Sequence, residues 1–264
     1  MKVWAVANQK GGVGKTTTVV NLAGPLAVVG RSVLLLDLDP HGSLTSYFGL
    51  NPDTIEHSVY GLFGDDPTEQ DKVIVKTPVE NLDLIPASSA MATLDRQLGV
   101  QAGKGLVVSQ VLKTFSDRYD YVLMDCPPVL GILMVNALAA CQRLIIPVQT
   151  EYLALKGLER IVNTLDMVSK SRQDKLPYLI VPTMFDARTR ASNDSLEILQ
   201  HQFPNELWDG FIPVDTRFRD ASAQHMPLTL SFPKARGAIA YRKLLQTLLK
   251  SEVRQTPHRW ANAS

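Results

Sequence analysis

The sequence has few of the features that mark secreted, metal-binding or membrane-spanning proteins. Among 264 residues there are only two cysteines, Cys126 and Cys141, and their spacing fits neither a metal site nor a disulfide framework. The chain opens directly into a strand-like run, so we expect no secretory signal. The most apolar window, residues 19–36, is interrupted by polar residues, glycines and a proline, which argues against a membrane span. We therefore expect a cytoplasmic protein with reduced thiols.

An excess of charge of one sign is also missing. The 27 Lys and Arg residues nearly balance the 26 Asp and Glu residues, giving a net charge of +1. Whole-chain charge therefore neither favours nor excludes a nucleic-acid partner, and only a local patch could do so. The hydrophobic fraction of 45% is ordinary for a globular protein with a sizeable core.

Short apolar runs alternate with helical patterns along the whole chain. This alternation predicts βαβ units, and therefore an α/β fold with a mostly parallel sheet covered by helices on both faces. We expect a single domain over residues 1–264, with a loosely ordered tail from about residue 253. Strands are predicted at 2–8, 32–38, 82–86, 119–125, 143–148, 177–184 and 210–214. Helices are predicted at 15–29, 88–98, 105–117, 131–141, 152–170, 194–202 and 236–252.

The most informative segment is residues 9–18, Gln-Lys-Gly-Gly-Val-Gly-Lys-Thr-Thr-Thr. It lies between a predicted strand and a predicted helix, which is the context that a phosphate-binding loop requires. Glycines let backbone N–H groups approach phosphates, and the helix N-terminus adds partial positive charge. We therefore expect Lys15 to bind the β- and γ-phosphates and the Thr16 hydroxyl to bind Mg²⁺; a plain glycine-rich turn is the alternative. The predicted nucleotide contacts here are Gly11, Gly12, Val13, Gly14, Lys15, Thr16 and Thr17.

Three aspartates stand at the ends of predicted strands. Asp37 and Asp39 end the second strand, and Asp125 ends the strand at 119–125. The carboxyl ends of parallel strands gather at one edge of a sheet, where ligands bind. Carboxylates there can hold Mg²⁺ or its water, although solvated acids capping strands are the alternative. The guanine signature N-K-x-D is missing, which favours ATP over GTP.

Lys10, just before the glycines, makes the loop resemble the deviant Walker A motif of the ParA/MinD ATPases. Residues 37–42, Asp-Leu-Asp-Pro-His-Gly, resemble that family's D-L-D-P-Q-G, with His41 in place of glutamine. Residues 125–131 resemble its D-C-P-P-S-L-G, with Val129 in place of serine. Residues 147–158 resemble the P-V-Q-x-E-Y-x-A-L-x-G-L of the ParA branch. The resemblance covers nearly the whole chain.

The resemblance implies roles for these residues. Lys10 would reach across a homodimer to the ATP of the other subunit, so that two chains enclose two nucleotides. Asp39 would position the attacking water, and Lys10, Lys15 and Asp39 form the implied catalytic set. The implied metal residues are Thr16, Asp37 and Asp125. Matches at 182–189 and 212–221 imply adenine contacts at Met184, Pro213 and Asp215.

The ParA branch implies a slow, Mg²⁺-dependent ATPase that positions a cargo. Its ATP-bound dimer would bind DNA without sequence preference, and a ParB-like or adaptor partner would stimulate hydrolysis. Such DNA binding needs Lys and Arg contacts to phosphates, although each candidate could instead be a solvated surface charge. The main candidates are Arg188, Arg217, Arg219, Arg236 and Lys243, with Arg190, Lys234 and Arg242 as further ones.

Two other interpretations remain open. A MinD-like membrane ATPase would need a basic amphipathic tail, whereas residues 250–264 show little apolar periodicity, so no membrane partner is expected. The other is a metabolic or redox relative, such as an amidoligase-like enzyme or a nitrogenase iron protein; the redox case needs paired cluster cysteines.

No operator-reading N-terminal domain is expected. The cargo would be a chromosome, a plasmid or a protein cluster. Departures from the chromosome-partitioning pattern slightly favour a protein cluster, with a chemotaxis array as the leading choice; they lie at His41, Ser43, Val129 and Val214-Asp215. The protein would then be on the nucleoid or at the cell pole.

Overall fold

The architecture is a seven-stranded sheet, seen in a computed structural model that describes residues 1–64, 69–94, 97, 104–171 and 175–255. The strands lie in the order β3-β4-β2-β5-β1-β6-β7. All neighbouring strands are parallel except β3, which pairs antiparallel with β4 at one edge. The strands are β1 (Lys2–Val6), β2 (Val33–Asp37), β3 (Val75–Lys76), β4 (Leu82–Ile85), β5 (Tyr121–Asp125), β6 (Arg143–Gln149) and β7 (Tyr178–Thr183). The mostly parallel α/β fold is therefore confirmed.

Helices connect the parallel strands, as crossover connections require. They are α1 (Lys15–Val28), α2 (Ser43–Tyr47), α3 (Glu69–Lys72), α4 (Val107–Thr114), α5 (Ile132–Ala140), α6 (Tyr152–Ser171), α7 (Arg190–Gln202), α8 (Arg217–Ala223), α9 (Leu228–Ser231) and α10 (Arg236–Gln255). Short 3₁₀ turns occupy Val59–Phe63, Ser89–Thr93 and Lys104–Leu106. Within the described ranges, no helix combines the length and the apolarity needed to cross a membrane.

The sheet is buried on both faces. Successive side chains of a strand point to opposite faces, and helices cover each face. In β1, Val3 and Ala5 join one core cluster, whereas Trp4 and Val6 join the other. Helices α4, α5 and α6 pack on the first face, and α1 and α10 pack on the second. At the far end of α10, Glu252 accepts a hydrogen bond from the Trp4 indole at 3.1 Å. The last described helix is thereby fixed to the central strand.

Several element boundaries differ from the sequence prediction. The strand predicted at 210–214 is wrong: this segment is a loop. It lies beside the end of β7, where Ile212 N–H donates to the carbonyl of Pro182 at 2.8 Å and Phe185 and Pro213 form an isolated bridge. Pro213 has no N–H for a sheet hydrogen bond, which limits such pairing. The helix predicted at 88–98 is a 3₁₀ turn over Ser89–Thr93, and residues 95–96 and 98 lie outside the described ranges. The tail expected from about residue 253 lies mostly outside them too.

The prediction missed short elements as well: β3, α2, α3, α8 and α9 were not foreseen. Each has between two and seven residues, too few to display a helical or alternating period. The predicted excursion at 51–80 contains a 3₁₀ turn, α3 and the edge strand β3. These pieces lie at one edge of the sheet and leave the carboxyl ends of β1, β2 and β5 together.

Candidate nucleotide-binding site

Residues 9–14 form a tight loop between β1 and α1. Gly12 and Gly14 have φ values of +73° and +91°, a left-handed backbone region that favours glycine. A Cβ placed on Gly11, Gly12 or Gly14 would meet no atom within 4 Å. The loop therefore surrounds open space next to the first turn of α1, where backbone N–H groups and the helix dipole favour an anion.

The loop is held in place by buried polar groups from neighbouring strands. The Asn8 side-chain amide donates to the carbonyl of Pro147 at 2.8 Å, and its oxygen accepts from the Lys10 backbone N–H at 3.0 Å. The Thr183 hydroxyl, at the end of β7, donates to the carbonyl of Val13 at 2.9 Å. Two of these contacts therefore fix the loop region to β6 and β7.

The two lysines of the loop occupy different environments. Lys15 is largely buried at the start of α1, and its ammonium lies 3.4 Å from the carbonyl oxygen of Lys10. The Lys10 ammonium, in contrast, forms an ion pair with Glu151 of the same chain, just before α6. Sequence reasoning had not assigned Glu151 a role, although it lies in the segment that matched the ParA branch.

Asp37 and Asp125 lie opposite each other on the adjacent strands β2 and β5, at the carboxyl ends of both. Both are almost completely buried. One carboxylate oxygen of Asp125, Oδ2, accepts from the Thr16 hydroxyl at 2.5 Å. The other, Oδ1, has no hydrogen-bond partner within the described part of the chain. The predicted grouping of Thr16, Asp37 and Asp125 is thus observed.

Burial dominates the electrostatics of this acidic pair. Desolvation raises the pKa of Asp37 to about 7, even though Thr45 donates to its carboxylate from both N–H and hydroxyl at 2.8 and 2.7 Å. Desolvation, then repulsion from Asp37, raises the pKa of Asp125 well above its usual range. Two carboxylates in such a place are stabilised as anions by a bound cation.

The donor set suits magnesium. The described residues contain no group of three or more His, Cys, Asp or Glu side chains able to hold a metal by themselves. Mg²⁺ usually needs only one or two carboxylates, completing its shell with waters and substrate phosphates. The free Oδ1 of Asp125 and the Thr16 hydroxyl fit that pattern. Asp37, whose carboxylate already accepts from Thr45, fits a contact through water.

Asp39 lies two residues beyond β2, at the same edge of the sheet. Its backbone N–H donates to Asp37 Oδ1 at 3.2 Å. Its own Oδ1 faces His41, with the ring Nδ1 at 2.8 Å and the backbone N–H donating at 3.1 Å. The sequence placed Asp39 at this edge, but it did not predict contact with His41.

The predicted adenine contacts fall on two adjoining loops. Met184 follows β7, is 39% exposed and has φ +53°, an unusual conformation for a bulky residue. Phe185 N–H donates to Ile212 O at 3.0 Å, which joins its loop to the one containing Pro213. The Asp215 carboxylate accepts from the backbone N–H groups of Arg217 and Gly237, both at 3.0 Å. Its side chain therefore holds the loop, and a base contact there would use the backbone.

A cavity of about 780 Å³ lies between these loops and α10, and two of the predicted adenine contacts, Pro213 and Asp215, line it. It groups three of the five main DNA candidates, Arg188, Arg236 and Lys243, along one rim. Arg217 lines an adjacent depression, whereas Arg219 is exposed but lines neither. Among them, Arg188 is paired with Asp186 at 2.6 Å. The structure thus gathers four of the five main DNA candidates on one side of the molecule.

Comparison with known proteins identifies the family. The family model described as an AAA domain matches residues 1–178. The sporulation initiation inhibitor protein Soj of Bacillus subtilis is 40% identical over 241 residues, covering 91% of this chain and 95% of Soj. The chain belongs to the ParA/Soj family. This confirms the resemblance predicted from the deviant Walker A loop and its acidic partners.

Further relatives extend the match. The chromosome partitioning protein ParA of Myxococcus xanthus is 33% identical over 260 residues, covering 98% of this chain and 91% of that protein. A Mycobacterium smegmatis structure described as cobyrinic acid a,c-diamide synthase has 35% identity and a TM-score of 0.83, covering 96% of both chains. That structure contains an ATP analogue and magnesium, the two ligands expected for the ParA/Soj family site described above.

Proposed function

We propose that this protein is a Mg²⁺-dependent ATPase of the partitioning type. Its ATP-bound form would be a dimer that binds DNA without sequence preference and positions or segregates a cargo. One observation carries the proposal: an open glycine loop stands beside a buried pair of carboxylates, one of which has an oxygen without a hydrogen-bond partner among the described residues. A triphosphate in the loop and a magnesium ion at the carboxylates would satisfy both features together.

Each residue then has a chemical task. Lys15 and the loop N–H groups bind the phosphates, and Gly11 to Thr17 form the cradle. Thr16 and Asp125 would hold Mg²⁺, and Asp37 would support it through water. When bound, the ion would neutralise charge during phosphoryl transfer. Asp39 orients the attacking water from the same edge of the sheet. Catalysis of this type depends on positioning and charge, not on covalent chemistry by the protein.

In the proposed dimer, the Lys10 side chain would take a second position. In one chain its ammonium is paired with Glu151, and both side chains are partly exposed, at 28% and 39%. An exposed ion pair of this kind contributes about 0–1 kcal/mol. A phosphate from a second subunit is a stronger partner, so the lysine would exchange when two ATP-bound chains meet.

The DNA-binding face lies around the cavity beside α10. Arg236 donates to the carbonyl of Val214 at 3.3 Å, which leaves further guanidinium N–H groups for a phosphate. Lys243 lies about two helical turns further along α10 and lines the same cavity. Met184 and Pro213, proposed to contact adenine, belong to loops that border this face, so nucleotide binding and DNA binding would share structure.

The relatives' names favour a chromosome or plasmid as the cargo. A centromere-binding, ParB-like protein or an adaptor would then be the partner that stimulates hydrolysis, and the protein would be located on the nucleoid. A protein cluster such as a chemotaxis array, with recruitment to the cell pole, is the alternative cargo.

A second candidate function is amide formation. The Mycobacterium smegmatis structure, at 35% identity, is described as a cobyrinic acid a,c-diamide synthase. In such an enzyme the same phosphate loop would activate a substrate carboxylate. The partitioning function is favoured here because basic residues are grouped beside the nucleotide loops.

The deciding experiment measures binding of the purified protein to non-specific duplex DNA with ATP, ADP or no nucleotide, across a salt series. We expect binding with ATP only, weakening steeply as salt rises because counterions are released. Lys15→Ala serves as the control that cannot use ATP. No DNA binding, together with ATP hydrolysis that depends on cobyrinic acid and an ammonia donor, would instead establish the second candidate.

A further inference from the structure

His41 is fixed to Asp39 by two hydrogen-bonding contacts. The ring Nδ1 lies 2.8 Å from Asp39 Oδ1, and the His41 backbone N–H donates to the same oxygen at 3.1 Å. The Asp39 side chain is only 12% exposed, whereas that of His41 is 79% exposed. The imidazole therefore covers one oxygen of a nearly buried carboxylate while its opposite edge faces solvent.

A tight turn sets this geometry. Gly42 N–H donates to the carbonyl of Asp39 at 2.8 Å, which closes a four-residue turn with Pro40 at its second position. Gly42 has φ +61°, and a Cβ there would lie 2.2 Å from the Pro52 ring. Glycine is thus required, and the backbone of His41 has little freedom. The ring is held in place by the turn as well as by Asp39.

The contact also determines which ring nitrogen of His41 carries the hydrogen. Because Asp39 Oδ1 is an acceptor, the neutral imidazole must carry its hydrogen on Nδ1. That N–H opposes rotation of the carboxylate. Without it, the Asp39 carboxylate would keep the contact from the His41 backbone N–H and lose the one from the ring.

We propose that His41 is a positioning residue for ATP hydrolysis: its Nδ1–H holds the Asp39 carboxylate in the orientation that directs the attacking water. This inference rests on the proposed ATPase function and adds a residue to it. Glutamine stands at this position in the family pattern, so the aromatic ring is a feature of this chain. An amide at the same distance from the backbone as Nδ1 should substitute for it, and a methyl group should not.

The kinetic test compares His41→Ala with His41→Asn, whose side-chain amide reproduces the Nδ1 donor. In metal sites, removing the hydrogen-bond partner of a ligand commonly costs about 10–100-fold in activity, and losing the partner of a water-positioning carboxylate should cost an amount near the lower end. We expect His41→Ala to lower kcat about tenfold with KM for ATP changed less than about twofold, and His41→Asn to stay within about threefold of wild type. Equal binding of a fluorescent ATP analogue by all three proteins serves as the control for folding.

A second measurement does not depend on hydrolysis. In protein labelled with ¹⁵N-histidine, long-range ¹H–¹⁵N spectra distinguish the two ring nitrogens, and loss of a signal in His41→Asn assigns it among the five histidines. At about pH 8.5, where ordinary imidazoles are neutral, we expect the Nδ1–H form in wild type and its loss in Asp39→Ala.

The outcomes separate this inference from the function on which it rests. Wild type that does not hydrolyse ATP would overturn the ATPase function, and with it the role of His41 in the reaction. Wild-type hydrolysis with unchanged kcat in His41→Ala would overturn the positioning role alone. An Nε2–H form in wild type would overturn the Asp39–His41 contact itself, whatever the kinetics.

Discussion

Lys10 and Glu151 form an ion pair within one chain, although the resemblance to deviant Walker A proteins assigns this lysine to the nucleotide of a second subunit. The two positions are mutually exclusive, because a single ammonium cannot stay on Glu151 and reach across an interface. The ion pair would therefore oppose the proposed dimerisation by the free energy that it contributes.

Removing Glu151 should free the lysine. We expect Glu151→Gln to strengthen ATP-dependent dimerisation by up to about 30-fold, because each of the two chains would otherwise lose an exposed ion pair worth at most about 1 kcal/mol. Sedimentation velocity with a non-hydrolysable ATP analogue measures the change, and Lys10→Ala should abolish dimerisation. Weaker dimerisation of Glu151→Gln would mean that Glu151 itself supports the interface.

Lys15 and Asp39 should separate binding from hydrolysis. Lys15→Ala removes the main phosphate cation, so we expect it to lose ATP binding and every nucleotide-dependent behaviour. Asp39→Ala should bind ATP normally, hydrolyse it at least about 100-fold more slowly and remain dimeric. Nucleotide titration, phosphate release and sedimentation measure the three properties. Hydrolysis at the wild-type rate by Asp39→Ala would contradict the water-positioning role.

The raised pKa of Asp37, about 7, predicts a pH-dependent stability in protein freed of nucleotide and metal. Below about pH 4 this carboxyl is protonated in both states. Between about pH 4 and about pH 7 the unfolded chain loses the proton first, so the contribution of Asp37 to stability falls as pH rises. Urea unfolding in EDTA should therefore show Asp37→Asn gaining stability relative to wild type across this interval. A constant difference between them would contradict the raised pKa.

Two glycines should behave in opposite ways. A Cβ on Gly24 in α1 would lie 2.8 Å from the Pro227 side chain, and Gly24→Ala should cost about 1–2 kcal/mol of unfolding free energy through overpacking. A Cβ on Gly11 meets nothing within 4 Å, so Gly11→Ala should change stability by less than about 0.5 kcal/mol. It should nevertheless weaken ATP binding at least about tenfold, because the phosphates need that space. Thermal unfolding and nucleotide titration of both variants test this contrast.

Arg236 and Lys243 should carry part of the salt dependence of DNA binding. Each variant, Arg236→Ala or Lys243→Ala, removes two phosphate contacts per dimer and should reduce the slope of log K against log salt by about 2. Fluorescence anisotropy of a labelled duplex at several salt concentrations measures the slope. The control is Lys76→Ala on edge strand β3, which removes an exposed lysine paired with Asp83. A wild-type slope in both rim variants would place the DNA-binding surface elsewhere.

Much of the fold followed from local patterns. The loop at 9–14 was predictable because it must combine glycines, a lysine and a helix start in consecutive residues. The parallel sheet followed from short apolar runs between helical patterns, and Asp37 and Asp125 were located by their place at strand ends. These features are local in sequence, so they can be recognised in a single amino-acid sequence. The loop at 210–214 and the short helices near it were missed because a few residues carry no period.

The sequence by itself determined the chemistry of this protein: a phosphate loop, strand-end carboxylates and a second lysine. Only the tertiary structure decided how those groups are held. These interactions depend on which segments the sheet brings together: Thr45 donates to Asp37, Glu151 pairs with Lys10, and one oxygen of Asp125 has no partner in the described part of the chain. Lys10 and Glu151 are 141 residues apart, and no local pattern encodes a contact over such a distance. Burial decides the electrostatics for the same reason, since the pKa of a carboxyl group depends on everything packed around it.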